Sequence, residues 1–237
     1  APAQGDYWQS TRSGGHGDYR LIVLAPASVQ EAVDLTILAF DLADQYRNPA
    51  VILADGIIGQ IMEPVTFPDV VSAPLSKPWA LRGKGDGPRR IVKTLFLNTD
   101  VLEERNRNLA RKYQEIRAAE QRSADYMMEG AEYAVVAYGT SARVCQTAVK
   151  QARAQGIPVG MVRPISLFPF PTQRLEQLVQ QVKGMLVVEM SHGQMLEDVR
   201  LATCCRVPIA FYNRLGGNVP SPEAVLAEIK RLPGVDK

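Results

Sequence analysis

Short apolar runs alternate with amphipathic stretches along most of this chain. The first run, "RLIVL" (residues 20–24), lies between Asp18 and Pro26 and reads as a strand. Ser28 and Glu31 then form an S-x-x-E pattern, the capping box that satisfies free amides at a helix start. The following helix runs to about Tyr46. Val29, Val33, Ile37 and Phe40 fall on one face and Leu35, Leu38 and Leu42 on another, so it is expected to be largely buried. Pro49 in "RNPA" cannot continue a helix, and "VILAD" follows as a second strand. Both strands are near-continuous apolar runs, which predicts a parallel sheet covered on both faces. A strand–helix–strand crossover is too little to bury itself. Residues 1–64 therefore read as the second half of an α/β domain, with the other half expected upstream or on another chain.

The pattern then breaks. Residues 65–99 carry prolines at 68, 74, 78 and 88 and the stretch "RGKGDGPRR", which predicts an extended connector. Residues 101–123 are strongly charged, with a narrow apolar stripe of Leu102, Leu109, Tyr113 and Ile116. Glu103 and Arg107, four apart, suit an exposed helix lying on a surface. From about Met127 strands and helices alternate regularly. The strands are "EYAVVAYG" (132–139), "VGMVRP", "MLVVEM" and "VPIAFY"; helices are expected at 139–155, 172–183 and 194–205, and after Ser221-Pro222. Residues 127–237 thus read as a doubly wound α/β domain able to fold by itself. The division expected is 1–64, 65–126 as linker with its charged helix, and 127–237.

Composition changes this picture little. With 27 basic and 25 acidic residues the net charge is +2, which gives no electrostatic case for nucleic acid or a membrane surface. No apolar run approaches the roughly 20 residues that span a bilayer. The three cysteines (Cys145, Cys204, Cys205) form no CxxC and predict buried thiols in a reducing cytoplasm, with no disulfide framework.

Few stretches offer chemistry. "GGHGDY" is not a dinucleotide loop, because its glycines precede a strand and its sixth position is Arg20. It reads either as a surface loop or as a pocket wall in which His16 donates or carries a proton, with Arg12, Asp6 and Asp18 nearby. "AYGTSA" has the topology of an anion site, but plain helix capping explains it. "RGKGDGPRR" reads as linker ahead of phosphate cradle. "EMSHGQM" places His192 beside Glu189 at a strand end, where capping or an interface is favoured over an acid/base pair. There is no metal-ligand cluster and no G-x-S-x-G elbow.

The run "QGDYWQSTRSGGHGDYRLIVLAPASVQEAVDLTILAFDLADQYRNPAVILADG" resembles the pyrimidine-binding domain of 2-oxoacid:ferredoxin oxidoreductase alpha subunits. Among these the sequence is most similar to the 2-oxoisovalerate (branched-chain 2-oxoacid) type. "KPWALRGKGDG", "NLARKYQEIRAAEQR" and "VVAYGTSARVCQTAVKQARAQGIPVGMVRPISLFPFP" continue the match into a stretch similar to the transketolase C-terminal domain. The resemblance covers essentially all 237 residues. It implies an α/β fold made of the second half of a thiamine-diphosphate pyrimidine-binding domain and a doubly wound domain. The family's substrate threonine, ring-activating glutamate and carboxylate-binding arginine have no match here, so the N-terminal part of the family's chain is expected to be missing and no catalytic residue is assigned. The implied reaction is CoA-acylating oxidative decarboxylation of a 2-oxoacid with reduction of ferredoxin. Thiamine diphosphate and Mg2+ would be shared with a beta subunit, and iron–sulfur clusters carried by gamma and delta partners, in the cytoplasm. Gln4, Asp6, Arg12, Gly15, His16 and Asp18 are the expected wall of the cofactor or substrate pocket. Pyruvate, 2-oxoglutarate or indolepyruvate as substrate, or a non-catalytic docking module, are the alternatives.

Overall fold

A computed structural model describes residues 2–69, 76–83, 85 and 87–235. Pro74 and, within "RGKGDGPRR", Lys84 and Asp86 lie outside the described residues. A short helix α1 (Tyr7–Thr11) and a single 3-10 turn (Ser13–Gly15) lead into β1 (Ile22–Leu24), α2 (Val29–Tyr46) and β2 (Ala50–Ile52). The β1–β2 pair is parallel, with Val23 opposite Val51, as the crossover predicts. Ser28 Oγ accepts from Glu31 N at 3.1 Å, so the cap forms. The Glu31 carboxylate accepts from Ala27 N and grips Arg163 through two nitrogens, tying the helix start to the far sheet.

Among the described residues of 65–98 there is no helix or strand. α3 (Thr99–Ala119) follows, then β3 (Ser123–Tyr126), β4 (Tyr133–Val136), α4 (Gly139–Ala154), β5 (Val159–Pro164) and β6 (Ser166–Phe168). α5 (Thr172–Leu178), β7 (Gly184–Glu189), α6 (Gln194–Thr203), β8 (Ile209–Asn213) and α7 (Pro222–Lys230) complete the chain. The second sheet has the order β3-β5-β4-β7-β8. β4, β5, β7 and β8 are parallel and β3 is an antiparallel edge. Strand alternation sorts its side chains: Val135, Leu186 and Val188 pack on α4 and α7, while Val136, Met185 and Val187 face the other way, toward α5 and α6.

Several features depart from the sequence reading. β6 turns away from β5 and pairs antiparallel with β1, so the first sheet is β2-β1-β6 and takes its third strand from among the elements of the second half of the chain. The apolar cluster behind it is continuous, running from Ile22, Leu24 and Leu42 through Tyr113 and Ile116 to Leu167, Val136 and Val199. α3 is therefore more than a surface strap. Its first half is exposed, but Ile116 is fully buried, a burial worth about 2 kcal/mol. α2, expected to be buried on two faces, buries only Leu35, Ala39 and Leu42; Phe40 is 71% exposed because no element of the described chain lies over that face. Finally, Cys145 is buried but Cys204 and Cys205 are exposed, correcting the expectation of three buried thiols. They follow the last turn of α6, where the chain turns back toward β8.

Candidate functional site

In open α/β sheets ligands favour the crevice where successive connections leave in opposite directions. Here that point lies between the carboxyl ends of β4 and β7, because α4 and α6 cover opposite faces. The chain's own first residues fill it. Gln4 is 4% exposed; its Nε2 donates to Tyr138 O at 3.0 Å, and its Oε1 accepts from Met190 N at 2.8 Å and Ser141 Oγ at 3.2 Å. Gln4 N donates to Met190 O at 3.0 Å, adding a backbone bond.

The helix starts flanking this crevice are occupied by carboxylates. Asp55, just beyond β2, accepts from Thr140 N at 2.9 Å and Thr140 Oγ1 at 2.6 Å, capping α4 from across the molecule. Gly139 has φ +55°, and a Cβ there would lie 2.8 Å from Asp55 Oδ2, so glycine alone admits this approach. Glu189 accepts from Met195 N at 3.1 Å, Leu196 N at 3.3 Å and Ser191 Oγ at 2.5 Å, capping α6. Burial pushes the Glu189 carboxyl above its usual range, against the pull of those donors. His192 is exposed, and its Nδ1 lies 3.5 Å from Asn213 Nδ2. Both motifs thus lie at capped helix starts, but the caps are carboxylates, Asp55 from outside "AYGTSA" and Glu189 within "EMSHGQM". Neither the "AYGTSA" hydroxyls nor His192 caps a helix as expected.

From Gln4 the segment continues along α6. Gln194 Oε1 accepts from Trp8 N at 2.9 Å, and Gln194 Nε2 donates to Gly5 O at 2.9 Å. Tyr7 is fully buried against Tyr138, with ring centroids 5.8 Å apart, and donates to Asp198 Oδ2 at 2.6 Å. Burial, then the neighbouring Asp198, pushes the Tyr7 hydroxyl well up, so it stays a donor. Arg12 Nη2 lies 2.7 Å from Asp198 Oδ1. Partial burial opposes its charge, but Asp198 outweighs that and raises its pKa.

The Gly-rich loop stands on this footing. Ser13, Gly14, Gly15 and Gly17 all have positive φ, which curls the chain tightly. Ser13 Oγ donates to Tyr19 O, and Tyr19 OH donates back to Ser13 O at 3.2 Å, closing the loop at its base. Gly15, His16 and Asp18 are exposed at the tip, and the His16 ring has no polar partner among the described residues. Asp18 borders a cavity of about 630 Å³ against α3, with Arg20, Leu102, Arg107, Tyr113 and Arg117. A second cavity of about 520 Å³ shares Arg20 and Arg117 and reaches the Arg12–Asp198 pair.

The six residues singled out from sequence therefore divide. Gln4 and Arg12 anchor the loop from behind; Gly15, His16 and Asp18 are presented at its tip. Asp6 is exposed at the start of α1 and makes no side-chain cap. Sequence reasoning missed Asp55, Tyr7 and Asp198. The acidic residue ending "VILAD" was the available signal for Asp55; nothing local marks Asp198 as the partner of Arg12. The β4–β7 crevice does not fit a diphosphate. The two helix starts at the crevice already hold carboxylates, which would repel a second anion, and the described residues contain no group of three or more His, Cys, Asp or Glu side chains placed for a metal ion.

Comparisons with known proteins agree with this architecture. The family model described as pyruvate flavodoxin/ferredoxin oxidoreductase, thiamine diphosphate-binding, matches residues 1–133. That of pyruvate:ferredoxin oxidoreductase core domain II matches residues 131–225. The chain is 47% identical over 234 residues to ketoisovalerate oxidoreductase subunit VorB of Methanothermobacter thermautotrophicus, covering 98% of this chain and 66% of that one. It is 31% identical over 254 residues to 2-oxoglutarate synthase subunit KorA of Methanothermobacter marburgensis, covering 96% and 68%. The chain thus spans about two thirds of the length of these relatives. A solved structure of 2-oxoglutarate:ferredoxin oxidoreductase from Magnetococcus marinus, with 2-oxoglutarate, coenzyme A and succinyl-CoA bound, superposes with a TM-score of 0.73 at 20% identity. It covers 97% of this chain and 45% of that one, a likeness of fold.

Proposed function

Since the chain belongs to the 2-oxoacid:ferredoxin oxidoreductase family, among its alpha-type subunits, we propose that it serves in an assembly that oxidatively decarboxylates 2-oxoisovalerate to the acyl-CoA and reduces ferredoxin. The observation that carries the substrate is the 47% identity with a ketoisovalerate oxidoreductase subunit, against 31% with a 2-oxoglutarate synthase subunit. Thiamine diphosphate and coenzyme A are the cofactor and co-substrate of this reading. It is supported by the thiamine-diphosphate-binding family match and by the coenzyme A held in the structural neighbour. Because the crevice of this chain is filled by Gln4 and capped by carboxylates, the diphosphate and Mg2+ belong to a beta partner in this reading. The iron–sulfur clusters belong to gamma and delta partners, and the assembly works in the cytoplasm. No helix among the described residues is long and apolar enough to cross a membrane.

In this assembly residues 1–64 are half of a pyrimidine-binding domain, 65–126 a linker with its helix, and 127–237 a transketolase C-terminal-like domain. The chain's own work is positioning. Gln4 and the Arg12–Asp198 pair anchor the segment that leads into the loop, and the Ser13–Tyr19 bonds close its base, so that His16 and Asp18 reach a wall of the cofactor or substrate pocket. His16 there donates a hydrogen bond or carries a proton. The chemical step is left to groups beyond this chain's described residues.

The test is made on the native complex, captured from source cells with an antibody against this chain. Dye reduction is assayed with 2-oxoisovalerate, 2-oxoglutarate and pyruvate, each with and without CoA. CoA-dependent reduction with 2-oxoisovalerate preferred is expected. Absence of reduction with any 2-oxoacid, from an intact cluster-bearing complex, would overturn the proposal in favour of a docking module.

A further inference from the structure

Two adjacent thiols end α6 in an uncommon turn. Cys204 and Cys205 both adopt left-handed backbone, with φ of 49° and 52°. Residues with a Cβ adopt this conformation only at a cost. Their sulfurs rest over the helix's last carbonyls, Cys204 Sγ at 3.7 Å from Leu201 O and Cys205 Sγ at 4.0 Å from Arg200 O. A thiol is a weak donor, so these contacts orient the sulfurs without tying them up. Both are exposed, whereas Cys145 is fully buried and its thiol is pushed well up by burial.

The two differ in what surrounds them. Cys205 lines a cavity of about 460 Å³ together with Arg200, Arg206, Val207, Pro208 and Ile209, and Cys204 does not. Arg200 and Arg206 are exposed, and neither pairs with a carboxylate among the described residues. The cavity is therefore lined by one exposed cysteine, two arginines without a carboxylate partner among the described residues and a short apolar wall. Two cations beside a thiol favour an incoming anion, and reactive cysteines sit in such electropositive, accessible settings.

We propose that Cys205 is a modification site for an anionic low-molecular-weight disulfide. Arg200 and Arg206 hold the acid groups of the adduct, and Val207, Pro208 and Ile209 accept its carbon skeleton. The Cys205 thiol loses its proton to solvent and its Sγ attacks one sulfur of the disulfide. The Sγ–S bond forms as the reagent's S–S bond breaks, and the other half leaves with the electron pair and takes up a proton as the free thiol. Cys205 is oxidised and that half of the reagent reduced, so no further oxidant is required.

The test compares two reagents on the full chain: the dianionic dithiobis(nitrobenzoate) and the neutral dithiodiethanol. Adducts are located by peptide mapping and rates followed by intact mass. The first adduct is expected on Cys205, and Cys204→Ser should keep the rate within about twofold. Arg200→Gln with Arg206→Gln should slow the dianion about tenfold and the neutral reagent less than about twofold. As a control independent of folding of the variants, raising ionic strength should slow the dianion alone on the unmodified chain. A first adduct on Cys204, equal effects on both reagents, or a dianion rate indifferent to salt would each overturn the assignment.

Discussion

The Arg12 guanidinium grips the Asp198 carboxylate through two nitrogens, Nη2 to Oδ1 at 2.7 Å and Nη1 to Oδ2 at 3.3 Å, while Tyr7 donates to the same carboxylate at 2.6 Å. Asp198 is almost fully buried, but the Arg12 side chain is 39% exposed, so water screens the pair and it is worth less than a fully buried one. Asp198→Ala should cost about 2 kcal/mol, most of it from the Tyr7 hydroxyl left without a partner. Asp198→Asn, which keeps an acceptor for Tyr7, should cost distinctly less. Urea unfolding of both variants checks this; equal losses would mean that the tyrosine bond carries nothing.

Gln4 and Gly139 meet at the β4–β7 crevice, where Gln4 answers Tyr138 O, Met190 N and Ser141 Oγ together. Gln4→Ala leaves these groups buried without that partner and should destabilise by about 3 kcal/mol. Gly139→Ala must place a methyl against Asp55 and Gln4 while holding positive φ, and should cost at least as much. Since both act on one contact, the double variant should lose less than the sum. Strict additivity in denaturant unfolding would separate the two sites.

Glu63 gives a pH signature. Its carboxylate accepts from Val29 N at 2.9 Å and pairs with Arg143 at 2.7 Å, and in that order these hold its pKa below the ordinary 4.5. A folded-state pKa lower than the unfolded one stabilises above about pH 4.5, and the contribution fades as pH falls through the folded value. Glu63→Gln should therefore melt lower than the unmodified chain at pH 7, and the gap should close on acidification. Thermal melts across that range test it; a constant gap would place the glutamate's effect outside its charge.

What the sequence made legible follows from which contacts are local. The Ser28–Glu31 cap, the apolar runs of β4 and β7 and the Pro222 helix start are each decided within a few residues, and all form. β6 escaped because "SLF" follows β5 after one residue, and its departure to another sheet is decided by pairing with Val23 and Leu24. β3 escaped because "SADY" is a four-residue edge directly after a charged helix, too short for its alternation to stand out. At the site, Gln4 and Arg12 were visible as polar residues flanking a glycine loop. Their roles rest on partners more than 130 positions away, which no local pattern encodes. The exposure of Phe40 was equally hidden, since helical spacing shows which side chains share a face and not whether anything covers it.

With Asp55 and Glu189 occupying the two helix starts at the crevice, this chain by itself should bind thiamine diphosphate poorly, with or without Mg2+. Titration calorimetry on the isolated chain is expected to show no saturable one-to-one heat. Tight stoichiometric binding would mean that a diphosphate site exists here that the two capping carboxylates do not govern.

His16 is the loop residue whose removal separates positioning from folding. Its ring is exposed and has no polar partner among the described residues, while the loop's closure rests on Ser13 and Tyr19. His16→Ala should therefore leave the melting temperature of the chain within about 1 °C, since exposed substitutions away from caps and cores are nearly neutral. In the complete assembly the same change should lower kcat or raise the KM for the 2-oxoacid, by about tenfold if the imidazole donates a hydrogen bond to a bound group. Its loss as a proton carrier should also alter the pH profile of kcat/KM, an effect that a spacer residue would not produce. Steady-state kinetics across pH on matched complexes decide between these. Unchanged parameters at every pH, with the complex intact, would remove His16 from the pocket wall.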